Sequence, residues 1–209
     1  MRILILGAGG HAQVVADAIL RARECGVGVQ PIGYLDDNRM LTGQVRLGLP
    51  ILGTLSELPM IAHNILVIAI GNNGTRSRLY TELQELGYRF ATICHPRATI
   101  APDVTLGPGT VVFAGVVINP GSTIGANVIL NTGCTVDHHN QIGDHVHLGP
   151  GVHLGGDVQI GDGTLIGIGA TVMPQRSVGM WSTVGAGALV HRDLPDRITA
   201  IGVPARIVK

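Results

Sequence analysis

Ile142-Gly143-Asp144-His145-Val146-His147-Leu148-Gly149-Pro150-Gly151-Val152-His153-Leu154-Gly155-Gly156-Asp157-Val158-Gln159-Ile160 returns to a branched aliphatic residue at every sixth position. The same step runs upstream through Val136, Leu130, Ile124, Ile118, Val112 and Leu106 to Ile100, and downstream through Ile166, Val172, Val178 and Val184 to Val190. All sixteen positions are Ile, Leu or Val. At the chain's 45% hydrophobic fraction, such a run arises by chance about three times in a million.

A period of six fits neither a helix nor a simple alternating strand. It fits short strands, each followed by a corner. Three hexapeptides close a triangular coil of about 18 residues with the aliphatic side chain inside, so residues 98 to 190 predict five coils of parallel β-helix. The residue after each aliphatic is usually small or turn-forming, as in Gly125, Gly143 and Gly161. The fifth position is usually small or β-branched, as in Val128, Cys134, Val146 and Thr164. A narrow interior of this kind suits a chain of 209 residues with 31 glycines and 3% aromatics.

Composition excludes several functions. Lys and Arg total 14, as do Asp and Glu, and this balance argues against a nucleic-acid partner, which needs a basic surface to neutralise phosphates. No apolar run reaches the roughly 18 residues of a membrane span, and the apolar start, Met1 to Leu6, is too short for a signal peptide. Cys25, Cys94 and Cys134 suggest no disulfide framework, which points to a reducing cytoplasm.

The first 95 residues read differently. An apolar run, Arg2 to Leu6, enters Gly7-Ala8-Gly9-Gly10-His11-Ala12 and then a helical stretch to about Cys25. Strand, glycine-rich turn and helix N-terminus make an anion site, because free backbone N–H groups point at a phosphate. A second strand, Pro31 to Leu35, ends at Asp36-Asp37, placed for a ribose or base contact. A third, Ile65 to Ile70, leads into Gly71-Asn72-Asn73 and a helix from about Thr75 to Leu86. A fourth is expected over Tyr88 to Ile93. One mononucleotide-sized half of a dinucleotide fold favours a single nucleotide or nucleotide-sugar. The expected organisation is an α/β half-Rossmann domain over 1–95 and an all-β left-handed parallel β-helix over 96–209.

The repeat resembles the hexapeptide acyltransferases, and the tail Gly202-Val203-Pro204-Ala205-Arg206 is similar to their closing motif. The whole chain resembles the bacterial sialic acid O-acetyltransferase and UDP-amino-sugar N-acetyltransferase family. The residues that carry this resemblance are Gly7-Ala8-Gly9-Gly10-His11, Tyr34-Leu35-Asp36-Asp37, Ile68-Ala69-Ile70-Gly71-Asn72-Asn73, Leu130-Asn131-Thr132 and Val136-Asp137-His138. The resemblance implies acetyl transfer from acetyl-CoA to a nucleotide-linked amino sugar, in polysaccharide biosynthesis, without a metal. His138 and His147 are nine residues apart, half of an 18-residue coil, and therefore on different sides of the triangle, which predicts a homotrimer with active sites shared between subunits. The resemblance also implies substrate contacts from Gly9, Gly10, His11, Asp36, Asp37 and Gly71, and leans toward a UDP-linked sugar. It implies acetyl-CoA contacts from His147, Gly156, Ile168 and Ala186. An alternative within the family is O-acetylation of sialic acid or another sugar.

Five of the nine histidines lie between His138 and His153. Acetyl transfer needs a base for the nucleophile's proton, and imidazole titrates near neutral pH. The resemblance places that base at His138, on an outward corner. Some relatives carry a glutamate directly after the base, where this chain has His139. Asp137 on the other side is a second candidate for orienting or tuning the ring, although strand neighbours point oppositely. Cys134 sits at an inward position and reads as packing, not as a nucleophile. Two readings of another class remain. One is a non-catalytic nucleotide-sugar scaffold. The other is a zinc-dependent β-helix enzyme, which would leave the N-terminal unit without a role.

Overall fold

A computed structural model describes all residues, Met1–Lys209. The chain divides into two compact units, Met1–Pro96 and Arg97–Lys209. No helix is long and apolar enough to cross a membrane.

The first unit is a five-stranded sheet in the order β3-β4-β2-β1-β5, formed by β1 (Arg2–Leu6), β2 (Gln30–Leu35), β3 (Val45–Arg46), β4 (Leu49–Gly53) and β5 (Ile65–Ile68). β1 pairs in parallel with β2 and β5, and β2 in parallel with β4. β1 is central, and Ile3 to Leu6 are wholly buried, which explains its unbroken apolar run. Helix α1 (Gly10–Glu24) buries Ala12, Val15, Ala16, Ala18, Ile19 and Ala22, a helical stripe whose alanines allow close packing. It ends where Gly26 takes φ 88 and the N–H of Val27 turns back to Ala22. Helix α2 (Asn73–Glu85) starts under an Asn72 cap, whose side chain accepts from the Thr75 N–H.

Two details of this unit depart from the sequence reading. The hairpin β3–β4 turns at Leu47-Gly48, φ 50 and 74, and a leucine in left-handed backbone gives no turn signal. The strand expected over Tyr88 to Ile93 shrinks to a bridge between Leu66 and Phe90 and a two-residue strand, Ile93–Cys94. Phe90 turns in to stack on Tyr80, with ring centroids 4.2 Å apart.

The second unit is the parallel β-helix. Its strands are two residues long, from Thr99–Ile100 to Leu189–Val190, and pair with the strand 18 residues on. The three faces show this register at Val117↔Thr135, Thr123↔Gln141 and Ile129↔His147. From Val112 to Val190 every sixth aliphatic is buried; Ile100 and Leu106, in the first coil, are partly exposed. The tail strand Thr199–Ile201 continues one face beside Thr183–Val184.

The glycines fall into two classes that the sequence reading merged. Those directly after the aliphatic make room for the next coil: a Cβ at Gly143 would lie 2.2 Å from the Asp162 carboxylate. The turn itself is made three residues after the aliphatic, where the backbone is left-handed in every hexapeptide from Gly109 to Gly187. Non-glycine residues occupy this position at Asn127, His139, His145, Asp157, Gln175 and Trp181. Inside, fifth-position polar residues bond the next coil. Thr110 donates to the Gly125 carbonyl at 2.8 Å and accepts from the Val128 N–H at 3.1 Å.

Candidate active site

In the first unit the exposed Gly9 and Gly10 open α1, whose first turn holds no acidic residue. A Cβ at either glycine would meet nothing within 4 Å, so the surface at these two residues is open. Asp36 holds this turn in place: one oxygen accepts from the Ala8 N–H at 2.7 Å and the other from the Asn38 N–H at 3.0 Å. Asp37 accepts from the Leu55 N–H at 3.1 Å. Both line a cavity of about 360 Å³ together with Gly7, Ile70 and Thr75. Gly71 is fixed by the buried Arg76, which donates to the carbonyls of Ile70 and Gly71 at 3.1 and 3.3 Å. Burial pushes the Arg76 pKa down to about 9, which leaves it charged at neutral pH.

The His11 side chain is half-buried, and its backbone N–H lies in the first turn of α1, where it is available to a phosphate. Burial, and then the Arg76 charge, push its pKa down to about 4. The fold therefore holds neutral His11, whereas the unfolded chain protonates it near pH 6.5. This contribution to stability is complete above about pH 6.5 and is lost as pH falls toward 4; it amounts to about 3 kcal/mol. Denaturant unfolding from pH 7.5 to 4 should show this decline, and His11→Gln should flatten it. An equal decline in the variant would mean that other groups cause it.

In the β-helix, His138 and His139 form the exposed turn after the strand Thr135–Val136. Their Nδ1 atoms are hydrogen-bonded at 3.0 Å, with the rings edge to face at 77°. Each Nδ1 is thereby spent on the other. Oδ1 of Asp137 accepts from Asn119 Nδ2 and from the His138 N–H, both at 2.8 Å. The Asn119 bond, then the His138 N–H and charge, hold its carboxyl below the usual range. Below the turn, buried Asn140 donates to the carbonyls of Asp137 and Gly155 and accepts from the Val158 N–H. Ser122 donates to the same Asp137 carbonyl at 2.9 Å. These two side chains fix the corner from inside, and the sequence reading passed over Asn140.

The other histidines serve elsewhere. His145 bonds Asn127 at 2.9 Å, His147 bonds Asn131 at 3.1 Å and His153 bonds Thr135 at 2.9 Å. Of the expected acetyl-CoA residues, only Gly156 lies at the His138 corner: a Cβ there would fall 2.4 Å from His138 Cε1. His147 lies on a different face, in the strand His147–Leu148, and Ile168 and Ala186 stack one coil apart at the corner that ends that face. A groove of about 610 Å³ starts at Gly121, beside His139, and runs past Gln141, Gln159 and Ser177 to Met180. Cys134 is fully buried, and burial pushes its thiol up to about 12, so no thiolate nucleophile exists at neutral pH.

Two family models match: the PglD N-terminal domain over residues 2–83 and the bacterial transferase hexapeptide over residues 141–172. The perosamine N-acetyltransferase from Caulobacter crescentus, solved with CoA and GDP-perosamine, is 40% identical. The match covers 100% of this chain and 98% of that one, with a TM-score of 0.91. This chain belongs to the bacterial hexapeptide-repeat sugar acetyltransferases. The acetyltransferase domain of PglB from Neisseria gonorrhoeae, solved with acetyl coenzyme A, is 36% identical over 99% of this chain and 98% of its own, at TM-score 0.91. WeeI from Acinetobacter baumannii is 26% identical over the full length of both chains, at TM-score 0.88. The half-Rossmann unit and the β-helix of this acetyltransferase are thus the shared architecture of its family.

Proposed function

We propose that the enzyme transfers acetyl from acetyl-CoA directly to the amine of a nucleotide-linked sugar, with His138 as general base. The observation that carries this reading is the exposed His138 ring, locked through Nδ1, in a chain that matches a sugar N-acetyltransferase end to end. The amine attacks the thioester carbonyl and an N–C bond forms. Nε2 of His138 takes the amine proton, the C–S bond breaks, and the proton passes to the departing thiolate of coenzyme A. The open N-terminus of α1 receives the nucleotide phosphates, and the cavity beside Asp36 and Asp37 takes the adjoining part of the nucleotide. The GDP-perosamine bound by the Caulobacter relative moves the first choice of base from uracil to guanine. The reaction belongs in the cytoplasm, where acetyl-CoA is made. Incubation with acetyl-CoA and GDP- or UDP-linked amino sugars, with detection of released thiol, tests it. Thiol release with amino sugars but not with their hydroxyl counterparts supports N-acetylation; the reverse overturns it.

Bulk at the open turn should act on substrate binding alone. Gly9→Val is expected to leave folding intact, since no protein atom faces the new side chain, and to raise KM for the nucleotide-sugar at least tenfold. Loss of acetyl-CoA affinity instead would reassign this unit.

His138 and the set His147, Ile168 and Ala186 occupy different parts of the triangle. A homotrimer that sets the corner of one subunit against the His147 face of the next unites them, with coenzyme A in the cleft between. His138→Ala and His147→Ala proteins, each nearly inactive, should regain activity when unfolded and reassembled together. At random mixing about a quarter of clefts carry both histidines. Inactive mixed trimers would refute shared sites.

A further inference from the structure

The corner that bears His138 repeats every 18 residues, and the column through His139 reads Asp103, Gly121, His139, Asp157, Gln175. His139 and Asp157 hold the same turn position in successive coils, with φ 58 at each. The space around the rings is kept by glycines. A Cβ at Gly121 would lie 2.6 Å from Cδ2 of His139, and one at Gly156 would lie 2.4 Å from Cε1 of His138. The His139 ring therefore leans over the coil before it and the His138 ring over the coil after it. One nitrogen of each ring and one oxygen of the Asp157 carboxylate lie within 4.8 Å of one another. The Asp157 N–H donates to the His138 carbonyl at 2.9 Å, which ties the two turns together.

The hydrogen bond between the two Nδ1 atoms holds one proton. If Nε2 of His138 is to receive a proton, Nδ1 must already carry one, so His138 donates and His139 accepts. His139 is then protonated at Nε2. When His138 takes up a second proton it becomes a cation, and a carboxylate within 4.8 Å favours that form. The Asp137 carboxylate also favours that form through its charge, while the hydrogen bonds of its Oδ1 go to Asn119 and to backbone and leave the ring's orientation to other groups. We propose that His139 and Asp157 are positioning residues for His138: His139 sets its tautomer, and Asp157, one coil on, stabilises its protonated form. This rests on His138 being the base.

Steady-state kinetics on the full-length protein test the proposal. Asp157→Asn keeps a residue that tolerates the left-handed turn. It should lower kcat roughly tenfold while KM for both substrates and Tm stay unchanged. His139→Glu added to Asp157→Asn should restore most of the lost kcat, by placing a carboxylate beside His138 itself. In a His138→Ala background, Asp157→Asn should have no further effect. Unchanged kcat in Asp157→Asn alongside a crippled His138→Ala overturns the proposal and leaves the base in place. A rise in KM without loss of kcat, or no rescue by His139→Glu in a folded protein, also overturns it. So does activity lost to EDTA and restored by zinc, since the three side chains would then be ligands. Full activity in His138→Ala removes the base, and the proposal with it.

Discussion

Replacing Ile160 with aspartate is expected to unfold the β-helix or drive it into aggregates. Ile160 is 2% exposed and sits in the inward column between Ile142 and Val178, its register partners in the coils on either side. A carboxylate there has no cation to pair with, and its ionised form costs several kcal/mol or more. The smaller side chain also leaves a void worth about 2–5 kcal/mol. Together these approach the whole stability of a typical domain, about 5–15 kcal/mol. Each coil stacks only on its neighbours, so a break at Ile160 separates the coils before it from those after it. Gln159→Asp, one residue away but outward and exposed, should change stability by no more than about 0.5 kcal/mol. Circular dichroism and melting of the two variants decide the matter. A soluble Ile160→Asp protein with unchanged Tm would contradict the inward column.

That contrast shows why the fold is so legible in this sequence. Each side of the triangle offers one inward position that only an aliphatic can fill, so packing writes a strict period of six. The site follows no such rule. His138 was reached through a motif, but its partner across the coil was not, because contact along the β-helix joins residues 18 apart. The signal was present: adding 18 to His139 gives Asp157. Asn140 escaped for a related reason. It occupies an inward position where a polar side chain looks out of place until its three backbone partners are known. Asp36 carries a task that its place at the end of β2 does not announce: both of its oxygens accept backbone N–H groups and hold the glycine-rich turn, beside the cavity that it lines.

Replacing His138 with alanine should lower kcat by roughly 10²–10⁴, the range for loss of a positioned general base. That corresponds to about 2.7–5.5 kcal/mol of activation free energy. The fold should not respond, because the ring is exposed and the corner is held from inside by Ser122 and Asn140. Acetyl-CoA affinity, measured by calorimetry, should also change little, since the ring acts on the amine proton and that proton moves only during the reaction. This separates the variant from Gly9→Val in kind. Bulk at the phosphate turn weakens ground state and transition state alike and appears in KM; loss of the base is felt only in the transition state and appears in kcat. His138→Ala turnover close to wild type at neutral pH would mean that the amine loses its proton to another acceptor, and the corner would then serve only to shape the cleft.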